Sequence, residues 1–339
     1  EATMKYTEIL LEHGGGGLLS NELVTKVFLP HFRNAFLERL EDSAVMTVGN
    51  KKVCFSTDSY VVEPLFFPGG DIGSLAVHGT VNDLAVCGGK PLCLSAGYIV
   101  EEGFPMEDLK KVVRSMADAA ARAGTSIVAG DTKVVPRGAA DGLFINTAGI
   151  GLVEYEGSLS VGSIRAGDAV IVSGTVGDHG AAILCKREEL GFRSEILSDS
   201  APLNGLVEVI LKATPRIHCM RDATRGGLGA ILAEMASQSG TTVVIRERDI
   251  PVREDVRGVC EVLGLDPLFL ACEGKLALFC PADDAEKVLL AMKGHPFGKN
   301  AALIGTVTEA GGGRLILQTA VGGSRVVDLP VGELVPRIC

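Results

Sequence analysis

The chain has 339 residues, 42 acidic and 32 basic, giving a formal net charge of −10 and a pI near 5.2. A general nucleic-acid or anionic-membrane binder needs a positive field, so this balance argues against both kinds of partner. Mean hydropathy is +0.30, but it comes from Ala, Val, Leu and Ile interspersed with Gly, without the ~18 unbroken apolar residues of a membrane-spanning helix.

A chain of this length predicts about two domains, burying roughly 74% of the surface it exposes when unfolded. Residues 1–5 hold no apolar leader, which fits a soluble cytoplasmic protein. The glycine run Gly14-Gly15-Gly16-Gly17 precedes a predicted helix with Leu19, Leu23, Val27 and Phe28 on one face, ending before Pro30. Two β-type runs, 44–48 and 53–57, flank Gly49-Asn50 as a hairpin. A small-residue helix over 72–86 and a strand over 92–100 follow. The helix over 105–123 has Pro105 at its start, Glu107 and Asp108 in its first turn and Gly124 beyond its end. Strands over 126–129 and 143–153 complete a sheet-forming half.

The texture turns to Gly, Ser and charge around 155–167, so the expected domains are 1–155 and 156–329. The second half predicts strands over 169–173, 242–245, 275–279, 302–307 and 314–318. Helices are expected over 181–190, 203–212, 227–237 and 283–292. Repeated Gly-rich turns between short apolar runs make the fold class α/β. The last ten residues, 330–339, hold two prolines and no amphipathic period, and read as an extended, mobile tail.

Nine cysteines occur without a Cys-x-x-Cys pair, which disfavours a zinc site or a disulfide framework. Cys54, Cys93, Cys185, Cys260 and Cys280 sit among apolar neighbours as small core residues. Cys339 differs because it is the last residue. Its sulfur, at the end of a proline-stiffened tail, is either a carrier atom that reaches into a site or an exposed thiol without a role.

Consecutive glycines let backbone N–H groups converge on an anion, and a following helix offers its positive end. The run lacks the Gly-Lys-Ser/Thr ending of a Walker loop, and alone it fits a flexible turn equally well. Asp58 and Asp131 are predicted at strand ends, and Asp83 follows Asn82 in the small-residue helix. Carboxylates at strand ends face the crevice where α/β proteins bind ligands, and their oxygens suit Mg²⁺. Singly they read as turn or cap residues; beside the glycine run they favour metal-nucleotide binding. Lys133 is either a phosphate-neutralising or catalytic amine or a solvated surface lysine. Glu273, before an apolar strand, is a general base or a turn residue. In the Gly-rich turn 173–180, His179 reads as a helix cap more readily than as a phosphate contact, and Arg225 serves phosphate or a salt bridge.

The motifs then converge. His13-Gly14-Gly15-Gly16-Gly17, the stretch 55–70, Gly79-Thr80-Val81-Asn82-Asp83, Gly130-Asp131-Thr132-Lys133-Val134-Val135, 173–180, 221–227 and the ending Pro336-Arg337-Ile338-Cys339 are spread along nearly the whole chain. Together they resemble the HypE family of hydrogenase-maturation carbamoyl dehydratases, within the PurM-like (aminoimidazole ribonucleotide synthetase) superfamily. The resemblance implies an N-terminal domain whose sheet pairs with a second subunit into a homodimer barrel, and a C-terminal α/β domain. It implies ATP in a cleft of the N-terminal half, Mg²⁺ on Asp58, Asp83 and Asp131, and phosphates cradled by Gly14, Gly15, Gly16 and Gly17, with Asn82 and Thr132 as polar neighbours. The implied chemistry loads a carbamoyl group onto Cys339 from the carbamoyltransferase HypF. ATP-driven dehydration to a protein thiocyanate follows, with Lys133 and Glu273 transferring protons. The cyanide then passes to iron of a nickel-iron hydrogenase precursor held by HypC and HypD. Two rivals are a superfamily enzyme acting on a free small molecule, for which Cys339 is dispensable, and a nucleotide-binding scaffold without chemistry.

Overall fold

Two sheets, each with its own apolar core, organise the chain; the computed structural model describes residues 6–187, 195–309, 311–332, 335 and 337–339. The N-terminal helix begins at α1 (Leu18–Leu23), widens into a π-type stretch over Val24–Phe28 and ends as α2 (Leu29–Phe32). It therefore passes through Pro30 instead of stopping before it. The wider turn makes room for the proline ring, and the Leu29 N–H reaches back five residues to the Val24 carbonyl.

The hairpin β1 (Ala44–Val48) and β2 (Lys51–Tyr60) forms around Gly49-Asn50 as predicted. A short ladder, β3 (Phe66–Phe67) with β4 (Gly70–Asp71), leads into α3 (Ile72–Val86), capped by the Asp71 carboxylate on the Gly73 and Ser74 amides. Then come β5 (Gly89–Glu101), α4 (Met106–Arg122), β6 (Ile127–Val135) and β7 (Leu143–Val153), giving a five-stranded sheet of order β1-β2-β7-β5-β6. Every pairing is antiparallel except β5 with β6. Every residue of α3 except Asp83 is buried; its small side chains let the helix lie against β2, β5, β7 and α4.

The second half comprises β8 (Asp168–Val172), α5 (Asp178–Lys186), α6 (Asn204–Ala213), β9 (Cys219–Asp222), α7 (Gly227–Ser239), β10 (Thr242–Arg246), α8 (Glu254–Leu263), β11 (Leu276–Pro281), α9 (Ala282–Lys293), β12 (Ala302–Thr308), β13 (Leu315–Gln318) and β14 (Ser324–Val327). Its seven-stranded sheet has the order β14-β13-β10-β12-β8-β11-β9. β8 is buried throughout because both faces are covered: Val170 and Val172 pack with residues of α7, while Ala169 and Ile171 pack with residues of α6 and α9. The α/β expectation holds. β9, α8 and β14 were not foreseen, being short or weakly patterned, and the expected end of α5 near Leu190 lies outside the described residues.

Two more predictions need correction. The strand expected over 126–129 runs on to Val135, so Asp131 stands in mid-strand. The tail is not a free extension. The Val61 N–H donates to the Cys339 carbonyl and the Glu63 N–H to the Arg337 carbonyl, both at 3.1 Å. Val335, Ile338 and Cys339 are buried in the same core as α3. Apolar side chains at 335 and 338 and the unpaired edge at Val61–Glu63 offset the entropy of ordering the tail.

Candidate active site

Strand alternation places Cys54, Ser56, Asp58 and Tyr60 of β2 on the face covered by α3. Cys54 and Tyr60 are buried, and Asp58 emerges into a cleft of about 280 Å³. Asp83 reaches the same cleft from α3, Asp222 from the end of β9, Arg225 from the turn before α7, Gly16 from the glycine run and Asp42 from the segment before β1. The Ser56 hydroxyl bonds Asp83 Oδ2 at 2.7 Å, and Arg221 bonds Asp42 at 3.3 Å and Glu234 at 3.2 Å. Asp42 and Asp222 were not foreseen as site residues. Asp222 stands inside the Arg-Asp-Ala-Thr-Arg-Gly-Gly stretch, whereas nothing local marks Asp42.

Carboxylates gathered this closely repel one another. Burial, then the charges of Asp222, Asp42 and Asp58, push the Asp83 carboxyl well above the usual carboxylate range. Burial and Asp42 do the same to Asp222, whose Oδ2 has no hydrogen-bond partner. Among the described residues, no three His, Cys, Asp or Glu side chains stand in position to hold a metal ion as they are.

Beside the acidic cleft lies a second group. Glu273 is 2% exposed, on a strap whose backbone is held by Asp199 Oδ1 at its N–H and by the Asn82 amide at its carbonyl. Its Oε1 has no partner, and burial followed by Asp222, Asp199 and Asp58 raises its pKa, with Arg225 opposing. The Tyr60 hydroxyl is also unpartnered and is kept protonated by burial and by Asp58, Asp83 and Glu273. It approaches α3 at Gly79, where any Cβ would collide with it. The negative charge of Cys339, then those of Asp58, Glu273 and Tyr60, raise the pKa of the Arg225 guanidinium against its burial. The guanidinium also donates to the Gly14 carbonyl at 3.3 Å and lies 4.0 Å from Asp58. The tail thus ends near a cation that also touches the glycine run and the acidic cleft.

Both halves of the chain match known proteins. Family models for the N-terminal and C-terminal domains of AIR synthase related proteins match residues 40–153 and 165–318. Carbamoyl dehydratase HypE of Azotobacter vinelandii is 52% identical over 327 residues, 96% of each chain. The chain belongs to the HypE family. Among solved structures, a HypE–HypF complex superposes with a TM-score of 0.86 at 48% identity, covering 91% of this chain and 99% of that one. The hydrogenase maturation protein HypE in complex with ATP superposes at 0.82 with 47% identity, covering 98% and 100%.

Against what the HypE resemblance implied, the geometry of one chain separates the site residues into two sets. Asp58, Asp83 and Gly16 meet in the cleft, and Glu273 stands beside it. Asp131, Thr132 and Lys133 do not join them: all three are exposed on β6, an edge strand, and Lys133 Nζ bonds Asp131 Oδ2 at 2.7 Å. Register gives the reason. Asp131 pairs with Gly97, which pairs with Asn146, which pairs with Ser59, so Asp131 and Lys133 share the face of Ser59, opposite to Asp58. Asn82 does not face the cleft. It is 1% exposed, accepting from the Leu203 N–H at 2.7 Å and donating to the Ala201 carbonyl at 3.1 Å. Gly17 serves close packing, since a Cβ there would collide with the Pro330 carbonyl, and the next amide, Leu18, donates to that oxygen at 3.0 Å. His179 is no cap; its ring is buried against the tail.

Proposed function

We propose that this protein dehydrates a carbamoyl group carried on the Cys339 sulfur to a thiocyanate, with ATP as phosphoryl donor. The observation that carries the reading is the docked tail: Ile338 lines one cavity with Arg225, and Cys339 carries the largest charge acting on that guanidinium. ATP binding is supported by the relative solved with ATP, and loading by HypF by the HypE–HypF complex.

The carbamoyl oxygen attacks the γ-phosphorus of ATP and ADP leaves, turning that oxygen into a phosphate leaving group. Loss of both nitrogen protons and departure of phosphate leave a carbon–nitrogen triple bond on sulfur. An amide N–H is a very weak acid, so proton removal needs the activated oxygen and a base already in place. Glu273 is that base; its raised pKa suits proton uptake once a cation has drawn its own proton away. Arg225 supplies one such charge.

The cleft's acidic groups offer only carboxylate oxygens, and Asp222 Oδ2 lacks a partner, a donor chemistry that fits Mg²⁺. Asp58 and Asp83, with Asp222, would hold it, and when bound it neutralises phosphate charge. Asp131, Thr132 and Lys133 would complete the site from a second subunit. The sheet face carrying Asp131 and Lys133 also bears the exposed side chains Phe55, Ile99 and Ile150, an apolar surface suited to a second copy of the sheet. The domain limits proposed are 1–155, 156–329 and the tail 330–339, and the cyanide is passed to iron held by HypC and HypD.

Intact mass of the carbamoyl-loaded protein after Mg-ATP addition tests this. Loss of one water, mapped to the C-terminal peptide, is expected in the wild type; Cys339→Ala should take up no carbamoyl at that peptide. Glu273→Gln should load normally and lose water at least about a hundredfold more slowly. A loaded wild-type tail that persists unchanged while ATP binds would overturn the dehydratase reading.

A further inference from the structure

The docked tail is held by a side chain that the chemistry above does not use. In an extended segment alternate carbonyls point to opposite sides. Those of Arg337 and Cys339 accept from the Glu63 and Val61 amides, so that of Ile338 faces away from this edge. There it meets His179 Nε2 at 2.8 Å. A carbonyl only accepts, so Nε2 carries the proton and Nδ1 must accept. Its partner at 2.7 Å is the Ser198 hydroxyl, whose oxygen in turn accepts from the Ser200 N–H at 3.1 Å. One neutral tautomer therefore satisfies every atom of the relay. The ring is fully buried and stands edge-on to Phe67, with centroids 5.3 Å apart. One residue back, Arg337 sits in the left-handed region at φ 53°, uncommon outside glycine, with its guanidinium bonded to the Val61 carbonyl, Glu63 and Asp141. The last two residues thus enter at a set angle between two anchors.

We propose that His179 is the positioning residue that seats Cys339 for reaction, acting through the Ile338 carbonyl and itself oriented by Ser198. The proposal rests on Cys339 as the carrier, and it deepens that reading by naming what seats the last residue on the Arg225 side of the tail. A histidine is suited to this task because it offers a rigid donor from the body without a charge that would compete with Arg225 for the tail.

The test uses the full-length protein and reads tail docking apart from chemistry. Hydrogen exchange at the Val61 and Glu63 amides reports whether the tail carbonyls are in place. Iodoacetamide labelling of Cys339, followed on the C-terminal peptide, reports sulfur exposure. His179→Ala should speed both by about tenfold, the effect of one buried hydrogen bond, while exchange in β5 stays unchanged. It should also slow single-turnover dehydration of the loaded tail with the ATP dissociation constant unaltered. His179→Gln, whose amide donates to the same carbonyl, should restore at least part of all three. If His179→Ala does not fold, Ser198→Ala, which removes only the hydroxyl that orients the ring, carries the same expectation with a smaller change. Wild-type exchange and labelling in the folded variants would overturn the proposal. Dehydration that survives Cys339→Ala while His179→Ala still frees the Val61 amide would sink the carrier reading and leave the tail anchor standing.

Discussion

At the scale of single residues, the cleft stores like charge. Asp83 holds its proton to a higher pH in the native chain than an ordinary carboxylate near pKa 3.8 does. Between that value and the raised native one, the folded state binds more protons than the unfolded state, so stability falls as pH rises through this window. Asp83→Asn removes the fall. Thermal melts from about pH 4 to about pH 8 should show a flatter profile for the variant, with its melting temperature at neutral pH raised by roughly 2–4 °C for each kcal/mol of repulsion relieved. Added Mg²⁺ should stabilise the wild type and leave the variant unmoved, because the cation offsets the charge that Asn no longer carries. Parallel pH profiles would mean that Asp83 is not where the repulsion resides.

At the scale of elements, the first sheet is covered on one face only. α3 lies against the face of Cys54, Ser56, Asp58 and Tyr60, while Phe55, opposite Ile150, and Ile99, opposite Phe144, belong to the other. Phe55 is 41% exposed, Ile99 44% and Ile150 42%, an unusual density of large apolar side chains on one open face. For the dimer proposed above, Phe55→Asp should drive the protein to a monomer in analytical sedimentation. Each such side chain buried between subunits is worth about 1.5–3 kcal/mol, so the dimer dissociation constant should rise by roughly tenfold to a hundredfold. The monomer should also lose dehydration, since Asp131 and Lys133 then have no second cleft to complete. A monomeric variant with full turnover would return those two residues to the solvated surface.

At the scale of the whole molecule, the two halves are joined through buried polar groups as well as through apolar contact. Asn82, on α3 of the first half, bonds the backbone at Ala201 and Leu203 of the second and reaches the Glu273 carbonyl at 3.4 Å. Asn82→Ala strands a buried N–H and a buried carbonyl, at a cost of about 1–3 kcal/mol. Chemical denaturation should show that loss, and the Glu273 strap should lose amide protection ahead of β8. A change confined to ATP affinity, with stability intact, would instead make Asn82 a ligand contact.

Much of this was legible in the chain. Local signals located α3, α4 and β7, because helix length, capping residues and alternation are properties of neighbours in sequence. Asp58, Asp83 and Glu273 could be singled out for the same reason, as carboxylates next to apolar runs. Tertiary structure alone decided which of them meet. Register parity, accumulated across β2, β7, β5 and β6, set Asp131 and Lys133 on the face opposite Asp58. Asp42 and Asp222 entered the cleft from segments 180 residues apart, and the tail docked because an unpaired edge and a buried histidine await it far from residue 339. Sequence by itself set the pieces and the terminal cysteine; only the packing of distant backbone edges could decide where that cysteine rests.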